Sequence, residues 1–148
     1  MNDEQRAAWI RLLALASPPT IVAGTRALEP LPPVVPVRPP EIGLVMVRGR
    51  LGGTGDAFNV GEMTVTRCTL RVGPHDGYAC IAGRNAEHAQ AAAVCDALLR
   101  DPDWHARVEA HVLAPIRRER AALAERRARQ RAATTADFVS VVREREDG

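Results

Sequence analysis

Six of the chain's eleven prolines fall inside one stretch of sequence, "EPLPPVVPVRPPE", which runs from Glu29 to Glu41. Proline has no N–H for a sheet ladder and clashes with the preceding helical turn, so this stretch is neither a helix nor a central strand. It reads as an edge strand or an extended connector over residues 30–41, and it separates two different patterns of hydrophobicity.

Residues 1–29 are helical in pattern. Asn2 and Gln5 form a capping-box pair ahead of Trp9, Leu12, Leu13 and Ala16, which recur on one face of a 3.6-residue period. Ser17 followed by Pro18 supplies a new N-cap and a first-turn proline, so a second short helix carries Ile21 and Val22 to about Leu28.

Residues 42–84 change period. Ile42, Leu44 and Met46 interleave with Val45 and Val47, and apolar residues on both faces predict a buried strand. From Met63 to Val72, Thr64, Thr66, Cys68, Leu70 and Val72 share one face while Arg67, Thr69 and Arg71 share the other. "GPHDG", Gly73 to Gly77, is a dense turn signal, and Tyr78 to Ala82 resumes as a further strand of the same meander. An antiparallel meander of three to four strands follows.

Residues 85–148 return to helix. Asn85 caps a segment with Ala91, Val94, Cys95 and Leu98 facing inward, and Asp101 with Pro102 starts another that buries Trp104, Val108 and Val112. Pro115 breaks or kinks the run. Between Ile116 and Ala133, two large aliphatics stand against seven arginines and two glutamates, so this long helix does not pack a core alone. The tail containing Phe138, Val139, Val141 and Val142 is a short helix or a strand. The expected class is α+β, with N-terminal helices, a central meander and C-terminal helices that include a long arginine-rich one.

Composition limits the core. With 148 residues the chain makes one domain, and aromatics at 3% leave a core of Leu, Val, Ile and much Ala, which buries little area per residue. Such a chain leans on a partner for stability. Its three cysteines, Cys68, Cys80 and Cys95, lack metal or disulfide spacing, and Met1–Ala16 is too charged for a signal peptide, so a reduced, cytoplasmic setting is expected. No apolar run approaches the roughly 20 residues that cross a bilayer. Neither a metal nor a membrane is expected.

Three constellations carry candidate function. The first, "RGRLGGTGDAFNVGE" from Arg48 to Glu62, has no lysine for a P-loop and no following helix for a dinucleotide fingerprint. Its Gly52, Gly53, Thr54 and Gly55 make a hairpin loop, an anion-holding nest of amides, or a smooth surface for another backbone. In the second, Arg67 and Arg71 lie about 13 Å apart along one strand face, with Arg84 at the exit of the neighbouring strand; they clamp a polyphosphate, meet a partner's carboxylates, or stand solvated. The third is the arginine run from Arg117 to Arg131, whose sharp reading is a nucleic-acid-binding module. No aromatic platform for bases is interleaved. A solvated or partner-docking helix is therefore preferred, with no nucleic-acid partner.

The blocks "GLVMVRGRLGGTGDAFNVGEMTVTRCTLR", "GYACIAGRNAEHAQAAAVCDALL" and "TTADFVSVVR" together resemble the PhnG family, a subunit of the bacterial carbon-phosphorus lyase machinery for phosphonate use. The resemblance rests on Gly52, Gly53, Thr54 and Gly55 with Phe58, Gly61, Thr66 and Arg67, then Gly83, Arg84, His88, Ala89, Asp96 and Leu98, and is loosest in the proline-rich stretch. It implies a required, non-catalytic subunit beside PhnI, PhnH and PhnJ. With PhnL, that assembly displaces adenine from ATP with methylphosphonate to give α-D-ribose 1-methylphosphonate 5-triphosphate. The same resemblance implies no cofactor in this chain, ATP and methylphosphonate as substrates of the complex, catalysis on PhnI, and an iron-sulfur cluster on PhnJ. Gly52, Gly53, Thr54, Gly55, Arg67, Arg71, Arg84, His88 and Phe138 are the candidate contacts with partners or phosphate, and the chain alone is expected to self-associate.

Overall fold

Two helices open the chain, and in each the cap read from the sequence marks the start. In the computed structural model, which describes residues 2–146 and side chains through residue 135, α1 spans Asp3–Ala14 and α2 spans Pro18–Arg26. The Asn2 side chain accepts the Gln5 N–H at 2.8 Å, satisfying one of the orphan donors at the helix start. Trp9 and Leu13 of α1 and Ile21 of α2 are buried.

A sheet of three antiparallel strands follows, in the order β1-β2-β3: β1 is Val34–Arg50, β2 is Ala57–Val72 and β3 is His75–Ala82. The proline-rich stretch is thus part of an edge strand, as its missing donors require. Register shifts sit at Pro36/Arg38 and Arg38/Glu41, where three prolines interrupt pairing. The turn into β3 is tighter than "GPHDG" suggested. Only Gly73 and Pro74 form it, with Gly73 at a φ of 56°, and His75 and Asp76 already pair with Val72 and Arg71.

The inner face of β2 is Thr66, Cys68, Leu70 and Val72, all buried, while Arg67, Thr69 and Arg71 face outward, as the alternation predicts. The expectation of a buried strand over Ile42–Val47 is corrected: Ile42, Leu44 and Met46 are 57%, 63% and 58% exposed. Apolar residues on both faces signalled cover, but no helix within the described residues supplies it.

The cover of the inner sheet is α3, Ala86–Leu99, on which α1, α2 and α4, Pro102–Val108, pack in turn. Every residue from Ala91 to Leu99 is buried, so the expected inward stripe widens to the whole circumference of the helix. Alanine makes this possible by letting the backbones approach. At Gly77 of β3 they approach furthest, where an added Cβ would run into the Ala93 carbonyl and come within 2.7 Å of the Ala97 nitrogen.

After α4, one turn of π-helix at Glu109–Leu113 precedes α5, Ala114–Glu146. Pro115 has no N–H for the carbonyl four residues back, and that carbonyl, on His111, lies 2.6 Å from where a Cβ on Gly24 would sit. The chain divides into two compact units, Met1–Ile116 and Arg117–Gly148. In the second, the backbone through the expected tail is helical and the side chains from Arg117 to Thr135 are mostly exposed. Among the described residues no single helix is long and apolar enough to cross a membrane.

Candidate partner-docking surface

β3 pairs with β2 only from Val65 to Val72. From Leu44 opposite Thr64 to Arg50 opposite Ala57, β1 and β2 have each other alone, apart from one bond from the Gly83 N–H to the Thr64 carbonyl at 2.8 Å. The result is a two-stranded arm. Strand alternation places Ile42, Leu44 and Met46 in a row on the same face of the sheet as the buried Thr66, and Leu51, Phe58 and Val60 add further exposed apolar surface toward its tip. None of the residues of β1 is buried.

The glycine-rich segment is the tip of this arm. Leu51–Gly53 form a single 3-10 turn closed by the Thr54 N–H on the Leu51 carbonyl, which also accepts the Gly55 N–H at 3.1 Å. Gly52 and Gly53 have φ values of 63° and 75° with open space around both, so conformation and not crowding requires glycine here. Of the three sequence alternatives, the geometry is that of a hairpin loop. Thr54 lies beside it, exposed.

The arginines are distributed, not gathered. Arg67 pairs across the ladder with Cys80, and Arg71 with Asp76, so at strand rise each lies roughly 13 Å from the next. Arg71 donates to both oxygens of Asp76 at 2.6 and 3.1 Å, an exposed bidentate pair that holds the Asp76 carboxyl below its ordinary value. Arg67 lies over Gly43, where an added Cβ would come within 3.1 Å of Nη2, and its Nε is buried with no hydrogen-bond partner. Arg84 is exposed just beyond β3. Arg67 is also separated from the tip, by roughly 35 Å of strand to Ala57.

His88 sits in the core. The Asn85 side chain caps its N–H at 3.0 Å, and its Nε2 is 2.9 Å from the Leu13 carbonyl near the end of α1. Phe138 lies outside the residues whose side chains are described. Cys95 is enclosed against the Thr25 hydroxyl, and burial pushes its thiol up to about 12, which keeps it protonated and unreactive at neutral pH.

The residue that organises the core entered the sequence analysis only through the family resemblance, with no role assigned to it. Asp96 is fully buried. It accepts from Arg6 Nε at 3.2 Å and Nη2 at 2.8 Å, from the Trp9 indole at 2.8 Å and from the Tyr78 N–H at 2.9 Å. Four donors thus tie α1, α3 and β3 to one carboxylate, and the same contacts raise the Arg6 guanidinium above its ordinary value. The signal was present as a lone acid inside the apolar run "AAAVCDALL".

An apolar arm, a sealed core and scattered exposed arginines describe a surface made for another macromolecule more than a pocket for a small one. Comparison with known proteins agrees with the sequence blocks. Residues 4–144 match the family described as phosphonate metabolism protein PhnG. The chain belongs to the PhnG family. A relative from Rhizobium meliloti (strain 1021), the alpha-D-ribose 1-methylphosphonate 5-triphosphate synthase subunit PhnG, is 42% identical over 141 residues, covering 94% of this chain and 89% of its own length. The span matched by the family model takes in the arm, α3 and all but the end of α5.

Proposed function

We propose that this chain is a non-catalytic, required subunit of an α-D-ribose 1-methylphosphonate 5-triphosphate synthase, acting in the cytoplasm in phosphonate breakdown. Its partners are subunits of the PhnI, PhnH and PhnJ kinds, acting with PhnL. ATP and methylphosphonate are substrates of the assembly, and the chemistry of adenine displacement belongs to a partner chain.

The observation that carries this reading is the arm. Ile42, Leu44, Met46, Leu51, Phe58 and Val60 are all exposed on one ribbon, and large apolar side chains exposed together on one element mark an interaction site. Obligate interfaces resemble a domain core cut in half. A relative named as a synthase subunit supplies the natural context for such a surface.

The test is adenine release from ATP in the presence of methylphosphonate. The isolated chain releases none, the co-purified assembly does, and the assembly prepared without this chain does not. Robust release by the chain alone would defeat the proposal.

A further inference from the structure

The two halves of β1 differ in how their open edge is treated. Val34–Pro40 carries Pro36, Pro39 and Pro40 together with two register shifts, devices that blunt an edge against pairing with another strand. From Glu41 to Val47 the register against β2 is unbroken, and the sequence "EIGLVMV" contains no proline. This run is mostly apolar, and no strand among the described residues pairs with its outer side. An edge of that kind is a template for a further strand.

Charge narrows the choice of strand. Arg38 lies before the run, and Arg48 and Arg50 lie after it. None of the three makes an ion pair among the described residues. A second copy pairing antiparallel with its own stripe matched, Leu44 on Leu44 and Ile42 on Met46, would set Arg38 of each copy beside Arg50 of the other. Like charges opposed across a ladder are destabilising. The edge therefore suits a different chain.

We propose that an extended segment of another subunit adds as a fourth strand along the open edge of β1 at residues 41–47. That segment carries apolar side chains at alternate positions, which lie beside Ile42, Leu44 and Met46, and acidic residues beyond each end, which meet Arg38 on one side and Arg48 and Arg50 on the other. Main-chain bonds supply affinity, while the alternating side chains and bracketing charges supply register. The proposal rests on the reading of the chain as a synthase subunit.

The experiment is amide hydrogen exchange at single-residue resolution on the intact assembly, obtained by co-expression with the remaining synthase subunits, compared with the chain alone. Alternate amides between residues 41 and 47, those directed away from β2, should slow by about 100-fold or more on assembly. A paired Arg48→Glu and Arg50→Glu variant should weaken assembly by about tenfold or more while its melting temperature alone stays unchanged. Assembly without slowed exchange in this run, or slowing without alternation, overturns strand addition and leaves the subunit reading intact. The same protection in a dimer of the chain alone overturns the choice of a different partner. Failure of the wild-type chain to join any synthase subunit overturns both.

Discussion

β1 and β3 are the two edges of one sheet, flanking the same central strand, yet they meet opposite environments. In β3, Gly77, Ala79 and Ile81 are buried beneath α3. In β1, a strand twice as long and as apolar in its second half, no residue is buried. Side-chain chemistry does not explain the contrast, since Ile42 is no less hydrophobic than Ile81. What differs is cover. α3 lies mainly on β3 and β2, and β1 runs on with β2 past the stretch that β3 pairs. Hydrophobicity in a strand therefore identifies a surface that favours burial, while the placement of the helices decides whether this chain supplies the cover.

The strongest way to break that contrast is at the covered edge. Gly77→Val drives a side chain into the α3 backbone at Ala93 and Ala97, and is expected to cost more than about 4 kcal/mol, so the chain should fail to give a cooperative thermal transition. Next comes Asp96→Ala, which removes the acceptor of Arg6, the Trp9 indole and the Tyr78 N–H together. Leaving buried partners unpaired is worth about 3–5 kcal/mol, measurable as a drop in urea midpoint with an unchanged slope. At the uncovered edge the expectation reverses. Leu44→Asp should alter the isolated chain's stability by less than about 0.5 kcal/mol, while abolishing co-purification with the other synthase subunits. If Leu44→Asp destabilised the chain as Asp96→Ala does, the two edges would not differ in kind.

The smallest effect lies on the exposed Arg71–Asp76 pair, which joins β2 to β3. The Asp76 carboxyl is held below its ordinary value of 3.8, first by the hydrogen bond from Arg71. Its contribution to stability is therefore present above the unfolded value and is lost as the pH falls through the lower folded one. Carbon-detected NMR titration should show a midpoint below 3.8 that rises toward it in Arg71→Ala, with only a slight change in melting temperature because the pair is solvated.

Much of this division was legible in the sequence, and particular residues show why. Asn2, Asn85 and Asp101 announced helix starts because each is a local chemical solution to orphan N–H groups. Thr66, Cys68, Leu70 and Val72 announced the inner face of β2 because period two is a property of the strand itself. Asp96 was hidden, since its partners lie 18 to 90 residues away in the chain. The exposure of Ile42, Leu44 and Met46 was hidden for a related reason: periodicity reports that a residue prefers cover, and the position of α3 decides whether it receives any. Among the candidate site residues, the loop conformation at Gly52 and Gly53 followed from glycine chemistry. The capture of Arg71 by Asp76 is a local consequence of the two-residue Gly73–Pro74 turn, which sets the two opposite each other, whereas the withdrawal of His88 into the core depended on tertiary placement.

All three strands precede α3 in the chain, so a ribosome delivers the sheet before the helix that shields it. For the β3 side this bare interval ends within the next few turns of synthesis, when Ala86–Leu99 emerges and docks. For the stretch beyond Val65 that helix brings no relief, and the nascent polypeptide keeps a sticky ribbon until another molecule arrives. Cells making this protein without its companions should accordingly see it engaged by chaperones or cleared by proteases, with supply of the companions setting how much accumulates.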